Sequence, residues 1–403
     1  PYTTLFRSRD QGFLARVQYD DNNTIFLSAS FRRDASSRFA PGHRWGNFGS
    51  VGAAWVISRE NWFNASAVDL LKLKISYGVQ GNDGLDGYFP WSDQYQHSYD
   101  GTNYSIAMTY KGNEDLTWEN SRSFNLGVDF ELFNNRLNGT LEYFNRDTKD
   151  LLYSKSVPLS SGNPTGAMPV NVGSIRNRGV ELSLDGAIVR TKNVQWDWNV
   201  NLSHYKNTIL SLDESVDPEK GIRGSNFIYK VGGSLYDAYM YKYAGVNPET
   251  GEALYWKRTE ETDANGKVIS YTDETTTIFS DATKYELGSV LPKLYGGFGT
   301  SLNAFGIDFS IQCSFQLGGK YYDGNYQQLM WTQASAGQAW HKDILNAWTP
   351  ENTTSNIPRM DGDTSVAQSA VDRFFVSSNY LSINNVTLGY TLPTKWTQKI
   401  KNL

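Results

Sequence analysis

The chain has 403 residues and a formal net charge of −5, and it carries no basic stripe, so a nucleic-acid partner is disfavoured. Aromatic residues make up 14% of it, and Cys313 is its single cysteine, which excludes a disulfide framework and a thiolate zinc site. No stretch approaches the roughly 20 consecutive apolar residues of a membrane-spanning helix.

The first eight residues read differently from the rest. They agree, codon by codon, with the in-frame translation of a common sequencing-adapter end, so we predict that 1–8 is an artefact. On that prediction the deduced chain begins inside a longer gene, and the fold prediction starts at residue 9.

Eleven segments alternate apolar and polar side chains with the period of two that a two-faced strand requires. In chain order, the predicted strands are 11–19, 24–33, 45–57, 70–79, 121–132, 137–149, 175–189, 195–207, 293–303, 305–317 and 376–391. Most are nine or more residues long, as a tilted strand that crosses a hydrocarbon core must be. Helix is predicted only at 339–348, before Pro350.

Short and long connections take turns between these strands. The short ones are 20–23, 133–136, 190–194 and the region around 304, and 58–69 is a somewhat longer member of the same set. The long ones are 34–44, 80–120, 150–174, 208–292 and 318–375. This alternation is typical of strands that run up and down through an outer membrane with long loops on one side. An odd number of strands leaves open edges, which lipid does not tolerate, so we expect part of a larger barrel.

Several segments resemble the SusC/RagA family of TonB-linked outer-membrane transporters. They include LSASFRRDASSRF at 27–39 and YAGVNPETG at 243–251, together with 71–82, 134–137, 143–152, 171–182 and 291–298. The resemblance covers residues 9–403 in family order.

The resemblance implies an all-β fold: a partial transmembrane antiparallel β-barrel, about eleven strands of a barrel of about 22, with long extracellular loops. It also implies a plug, a segment that contacts the TonB complex and a SusD-like surface lipoprotein that acts as a lid. Imported substrates would be oligosaccharides or peptides, and the location would be the outer membrane, in contact with its lipid. We expect the plug, the coupling segment, the signal peptide and the final strands to lie outside residues 9–403.

No catalytic, cofactor or metal site is expected. The four histidines show no metal spacing, and the acidic, glycine-rich segments 81–87 and 361–364 lack the ligand order of an EF-hand. Loop aromatics are the candidate substrate contacts, because ring faces can stack on sugars. These candidates are Tyr88, Trp91, Tyr95, Tyr99, Tyr322 and Trp331. Packing between loops, or contact with the lid protein, is the competing interpretation of these rings.

Two other functions stay open at this point. One is a passive porin or adhesin barrel, which needs no energised plug. The other is a soluble carbohydrate-binding β protein, which predicts short strands and no long–short alternation of the connections.

Overall fold

The computed structural model describes residues 7–264, 268–330, 337, 339–360 and 371–393. Most of the regular structure is strand. Up to residue 211 the strands are β1 (Asp10–Asp21), β2 (Ile25–Ser36), β3 (Trp45–Val56), β4 (Val68–Asn82), β5 (Gln94–Tyr99), β6 (Tyr104–Tyr110), β7 (Glu119–Leu132), β8 (Leu137–Lys149), β9 (Leu152–Ser156), β10 (Ala167–Asn171), β11 (Ser174–Arg190) and β12 (Val194–Ser211). The remaining strands are β13 (Ile222–Arg223), β14 (Ile228–Tyr229), β15 (Asp237–Tyr241), β16 (Tyr243–Val246), β17 (Ala253–Thr262), β18 (Val268–Thr276), β19 (Lys284–Ser289), β20 (Leu294–Ala304), β21 (Ile307–Leu317), β22 (Lys320–Tyr322), β23 (Phe375–Ser377) and β24 (Tyr380–Tyr390).

Helix is confined to short pieces. There is one α-helix among the described residues, α1 (Gly324–Leu329), and none of their helices is long and apolar enough to cross a bilayer. Single 3₁₀ turns lie at Ile57–Arg59, Leu159–Ser161, Phe279–Asp281, Lys342–Asn346 and Asp372–Phe374.

The helix predicted over 339–348 is wrong. Only the 3₁₀ turn Lys342–Asn346 forms there, because the His341 side chain accepts the Asp343 N–H and starts the turn late. At its other end, the Trp348 N–H donates to the Ile357 carbonyl, 2.8 Å away, and this bond draws the chain into an extended contact.

An eleven-stranded sheet contains all eleven predicted strands in sequence order, β1-β2-β3-β4-β7-β8-β11-β12-β20-β21-β24. The register of the strands places apolar residues opposite apolar ones and polar residues opposite polar ones. One row across five strands reads Leu73, Val128, Leu141, Leu182 and Leu202. The next row on the opposite face reads Lys74, Gly127, Glu142, Glu181 and Ser203. The sheet therefore has one apolar and one polar face, as predicted.

The height of the apolar face can be measured on β3. Trp45 and Trp55 lie on that face at opposite ends of the strand. Ten residues of strand extend about 33 Å, and at the usual barrel tilt this gives about 25 Å along the membrane normal. Each indole meets a polar group: Arg33 lies 5.1 Å from the Trp45 ring, and Trp55 Nε1 donates to Glu60 at 2.8 Å. This arrangement is typical of an interfacial aromatic belt.

The chain divides into two compact units. The sheet unit comprises Pro1–Asp217, Leu294–Phe315 and Leu381–Leu403. The loop unit comprises Pro218–Lys293 and Gln316–Tyr380, which are two long connections folded together. It has its own core of Met330, Ile344 and Phe374. The sheet unit also contains the connections 37–44 and 83–118, in which Phe39 and Leu116 are fully buried.

Candidate functional site

The long connection between β4 and β7 carries the β5–β6 hairpin, which has a rigid turn. One carboxylate oxygen of Asp100 accepts the N–H groups of Thr102 and Asn103 at 2.9 and 2.7 Å. These bonds, with that from Asn103 foremost, lower the pKa of Asp100. At the open end of the hairpin, the Asp93 carboxylate accepts hydrogen bonds from Lys111 Nζ and from the Gly112 N–H, both at 2.9 Å. The hairpin is therefore held at both ends by carboxylates.

One face of this hairpin is apolar and open to solvent. Tyr99 lies opposite Tyr104, and their rings stack with centroids 4.6 Å apart. Farther along, Ile106 is opposite His97. The exposed fractions are 59% for Tyr95, 57% for Tyr99, 78% for Tyr104 and 76% for Ile106. Such a platform can stack on sugar rings or receive an apolar partner surface.

The four candidate residues of this loop differ in their exposure to solvent. Tyr95 and Tyr99 belong to the exposed hairpin face, and Tyr88 is exposed outside the hairpin. Trp91 is half-buried, and its Nε1 donates to the Ser37 carbonyl at 3.2 Å. This bond ties the loop to the neighbouring connection, so the position of Trp91 favours packing.

Sequence reasoning missed Tyr104 and Ile106. Their alternation with small polar residues after the Asp100-Gly101-Thr102-Asn103 turn is the signal that could have found them. The segment is short, and a hairpin within a loop gives only a weak local pattern.

The second candidate cluster lies in the loop unit. Tyr322 packs against the Met330, Ile344 and Phe374 core and meets the Phe374 ring edge-on at 6.3 Å. Trp331 lies outside the described residues. The position of Tyr322 therefore also favours packing.

Polar contacts knit the two connections of the loop unit together. Asp372 accepts the Tyr243 N–H at 2.8 Å, and the Tyr243 hydroxyl donates to the Asn356 carbonyl at 3.0 Å. The Arg373 guanidinium lies over the Tyr243 ring at 5.2 Å. Burial raises the pKa of Tyr243 to about 12 and also raises the pKa of the Asp372 carboxyl. These groups are structural, because each is held by a neighbour.

The polar face of the sheet carries charged clusters with internal partners. Lys74 Nζ lies 2.7 Å from Asp129 and 3.1 Å from Glu142, and the Thr140 hydroxyl also donates to Asp129. The Asp129 carboxylate is therefore engaged by both Lys74 and Thr140. No group of His, Cys, Asp and Glu among the described residues is arranged to hold a metal ion.

Comparison with known proteins gives a match along nearly the whole chain. The family model "TonB dependent receptor-like, beta-barrel" matches residues 2–400. "TonB-dependent receptor P26" of Formosa agariphila is 30% identical over 399 residues, which cover 94% of this chain and 39% of that protein. "TonB-dependent receptor SusC" of Bacteroides thetaiotaomicron is 26% identical over 97% of this chain and 39% of its own length.

A solved structure shares the fold. The RagAB peptide transporter superposes with a TM-score of 0.80 at 26% identity, covering 96% of this chain and 42% of that one. The chain thus spans about two fifths of the length of the proteins it matches.

Proposed function

The chain belongs to the TonB-dependent receptor-like β-barrel family of the outer membrane, and from this we propose that it is the barrel part of an active importer. The importer is energised by the TonB complex, works with a SusD-like surface lipoprotein and takes up oligosaccharides or peptides. The observation that carries the proposal is the eleven-stranded sheet with consecutive pairing, one apolar face and its four longest connections, 83–118, 150–173, 212–293 and 318–379, all at one end. The proposed importer performs no covalent chemistry.

The β5–β6 hairpin is the part of this chain best suited to meet a substrate. Tyr95 and Tyr99 present their rings to solvent, and the stacked Tyr104 extends the platform. Tyr88 and Trp331 stay substrate-contact predictions. Trp91 and Tyr322 contribute by holding their loops in shape, since each is engaged by other parts of its own unit.

Import by such a transporter proceeds in three steps. A ligand docks among the extracellular loops, the lid closes over it, and pulling by TonB rearranges the plug. The side chains of this chain bind and orient the ligand and form the inner wall along which it passes.

The test is uptake by cells that carry the full-length transporter, with and without a functional TonB complex. Fluorescently labelled maltotetraose and a labelled tetrapeptide serve as probes. We expect uptake of at least one probe, together with its loss when TonB or the neighbouring lipoprotein is deleted. Uptake that persists without TonB would support a passive porin and contradict the proposal.

A further inference from the structure

The apolar face of the sheet carries charged residues where β7, β8, β11 and β12 meet the long connections. They lie on the same face as the row that contains Val128 and Leu202, because each is an even number of residues away along its strand. We call them the cationic patch, and its members are Arg122, Asp147, Lys149, Arg176, Arg178 and Lys206. Since the polar face lines the lumen of a barrel, a plug inside that lumen does not contact the patch.

Two members of the cationic patch lie at the height of the membrane interface. Lys206 is ten positions from Trp196, which lies on the same face at the opposite end of β12. Ten residues of a tilted strand cover about 25 Å along the membrane normal, the same interval as between Trp45 and Trp55 on β3. Arg178 lies directly opposite Lys206 on β11. Both side chains are therefore at the level where lipid headgroups begin.

Arg178 and Lys206 have no counterion among the described residues. Both are exposed, and neither side chain makes a hydrogen bond or an ion pair with a described residue. The carboxylate of the patch, Asp147, is paired with Arg176 through two hydrogen bonds of 2.7 Å. Like charges directly opposite each other in a sheet are unfavourable. An anion between Arg178 and Lys206 would relieve this repulsion.

The opposite margin of the same face is uncharged along these and the neighbouring described strands. Where the strands meet the short turns, the residues on this face are Tyr19, Trp55, Leu132, Leu137, Trp196 and Leu302. Solvation by water would favour charged residues equally at both margins. An anionic headgroup in one leaflet favours cations at one margin only. The asymmetry therefore indicates that the patch faces an anionic lipid surface on the side of the long connections.

We propose that the cationic patch binds the phosphate group of a lipid headgroup in the outer leaflet. The Arg178 guanidinium donates two parallel hydrogen bonds to the phosphate, and the Lys206 ammonium adds a second positive charge beside it. The acyl chains of the same lipid lie against the apolar residues that follow towards the middle of the strand, beginning with Val180 and Leu182. One ligand thus satisfies both the charged margin and the apolar face.

The experiment titrates lipid into the full-length transporter in detergent and measures binding by native mass spectrometry. The probes are diphosphoryl lipid A and the same lipid with both phosphates removed, with inorganic phosphate as a competitor. The variants are Arg178→Gln, Lys206→Gln and the two combined. Arg146→Gln is the matched control, because Arg146 is an exposed arginine at the same end of β8 but on the polar face, where its Nε donates to Ser123 at 3.2 Å.

We expect the Kd of diphosphoryl lipid A to rise about fivefold in each single variant and about 25-fold in the double variant, as loss of one and two surface cations does. Arg146→Gln should bind this lipid as the wild type does. The phosphate-free lipid should bind the wild type and the double variant equally weakly. Lys206→Arg keeps the charge and should leave the Kd within about twofold of the wild type, which separates a role of charge from one of packing.

Equal Kd values for the two lipids on the wild type would overturn the proposal, and this comparison does not depend on the folding of any variant. An equal loss of binding in Arg146→Gln would also overturn it, because charge anywhere on the barrel would then suffice. Inorganic phosphate that binds as tightly as the lipid would assign the patch to a free anion instead. If the double variant releases the surface lipoprotein and leaves the lipid Kd unchanged, the patch is a protein interface and the proposal is wrong.

Discussion

Gly251 lies against the indole of Trp348, so close that a Cβ at residue 251 would overlap the ring. Its φ of +75° is also in the left-handed region that favours glycine. Trp348 Nε1 donates to the Pro248 carbonyl at 3.1 Å, and Arg359 donates to the Thr250 carbonyl at 2.8 Å. The segment 246–251 is therefore the surface on which the second connection of the loop unit packs.

We predict that Gly251→Ala destabilises the loop unit by about 2–4 kcal/mol, the sum of left-handed strain and overpacking. Gly232→Ala is the matched control: residue 232 has φ +85° and open space around its Cβ, so only about 1 kcal/mol of strain applies. Limited proteolysis of the loops in denaturant measures both. Adding Trp348→Ala to Gly251→Ala should recover part of the loss, and no recovery would show that the overlap is not the cause.

Val128→Lys should destabilise the barrel by about 2–4 kcal/mol, because it puts a charge at mid-strand on the lipid-facing side. The control is Ser183→Lys on the polar face, where we expect a change below about 1 kcal/mol. Urea titration of the full-length barrel refolded in lipid vesicles compares them. Equal losses would mean that the two faces are assigned wrongly.

We expect a loss of stability in acid from the protonation of Asp213. Lys155 Nζ, 2.7 Å away, and the neighbouring Ser215 hold the pKa of Asp213 at about 2, below its ordinary 3.8. A depressed folded-state pKa stabilises above pH 3.8, and the contribution disappears as the pH falls towards 2. Asp213→Asn should cost about 1 kcal/mol at pH 7, since the pair is partly solvated. Protease resistance of the loop 150–174 should show no difference between the variant and wild type near pH 2, and a difference independent of pH would refute the assignment.

For Asp372 we expect stability to change with pH in the opposite direction. Burial raises the pKa of this carboxyl above 3.8, so its ionisation opposes folding as the pH rises. Asp372→Asn keeps the acceptor for the Tyr243 N–H and removes the buried charge. We expect the variant to be at least as stable as wild type at pH 7, with its advantage shrinking below pH 4. A less stable variant at pH 7 would mean that attraction to Lys242 and Lys320 outweighs burial.

Two aromatic residues of one loop should behave differently. Tyr99→Ala removes half of the exposed stack and should weaken substrate binding about tenfold. Trp91→Phe loses the bond to the Ser37 carbonyl and should loosen the loop to protease without changing affinity. Titration calorimetry and limited proteolysis on both variants test this contrast. If Tyr99→Ala instead releases the lipoprotein and leaves substrate affinity unchanged, the hairpin contacts the lid.

Prediction from sequence succeeded for the strands and was wrong for the helix placed in a long connection, for one physical reason. The alternation at 123–132 is a local signal, because it depends only on the residues of that segment. The predicted ends of each strand lie within a few positions of the observed ones. The predicted helix at 339–348 was wrong, because His341 and the Ile357 carbonyl, neither visible as a periodic pattern, decide the local backbone.

By itself the sequence determined the eleven strands, their two faces, the long–short order of their connections and the family. These follow from side-chain period and turn chemistry, which act over a few residues. Only the tertiary structure decided that Tyr95 and Tyr99 are open while Trp91 and Tyr322 are packed. It alone brought Trp348 of one long connection against Gly251 of the other, because contacts between segments that are far apart in the sequence leave no local pattern.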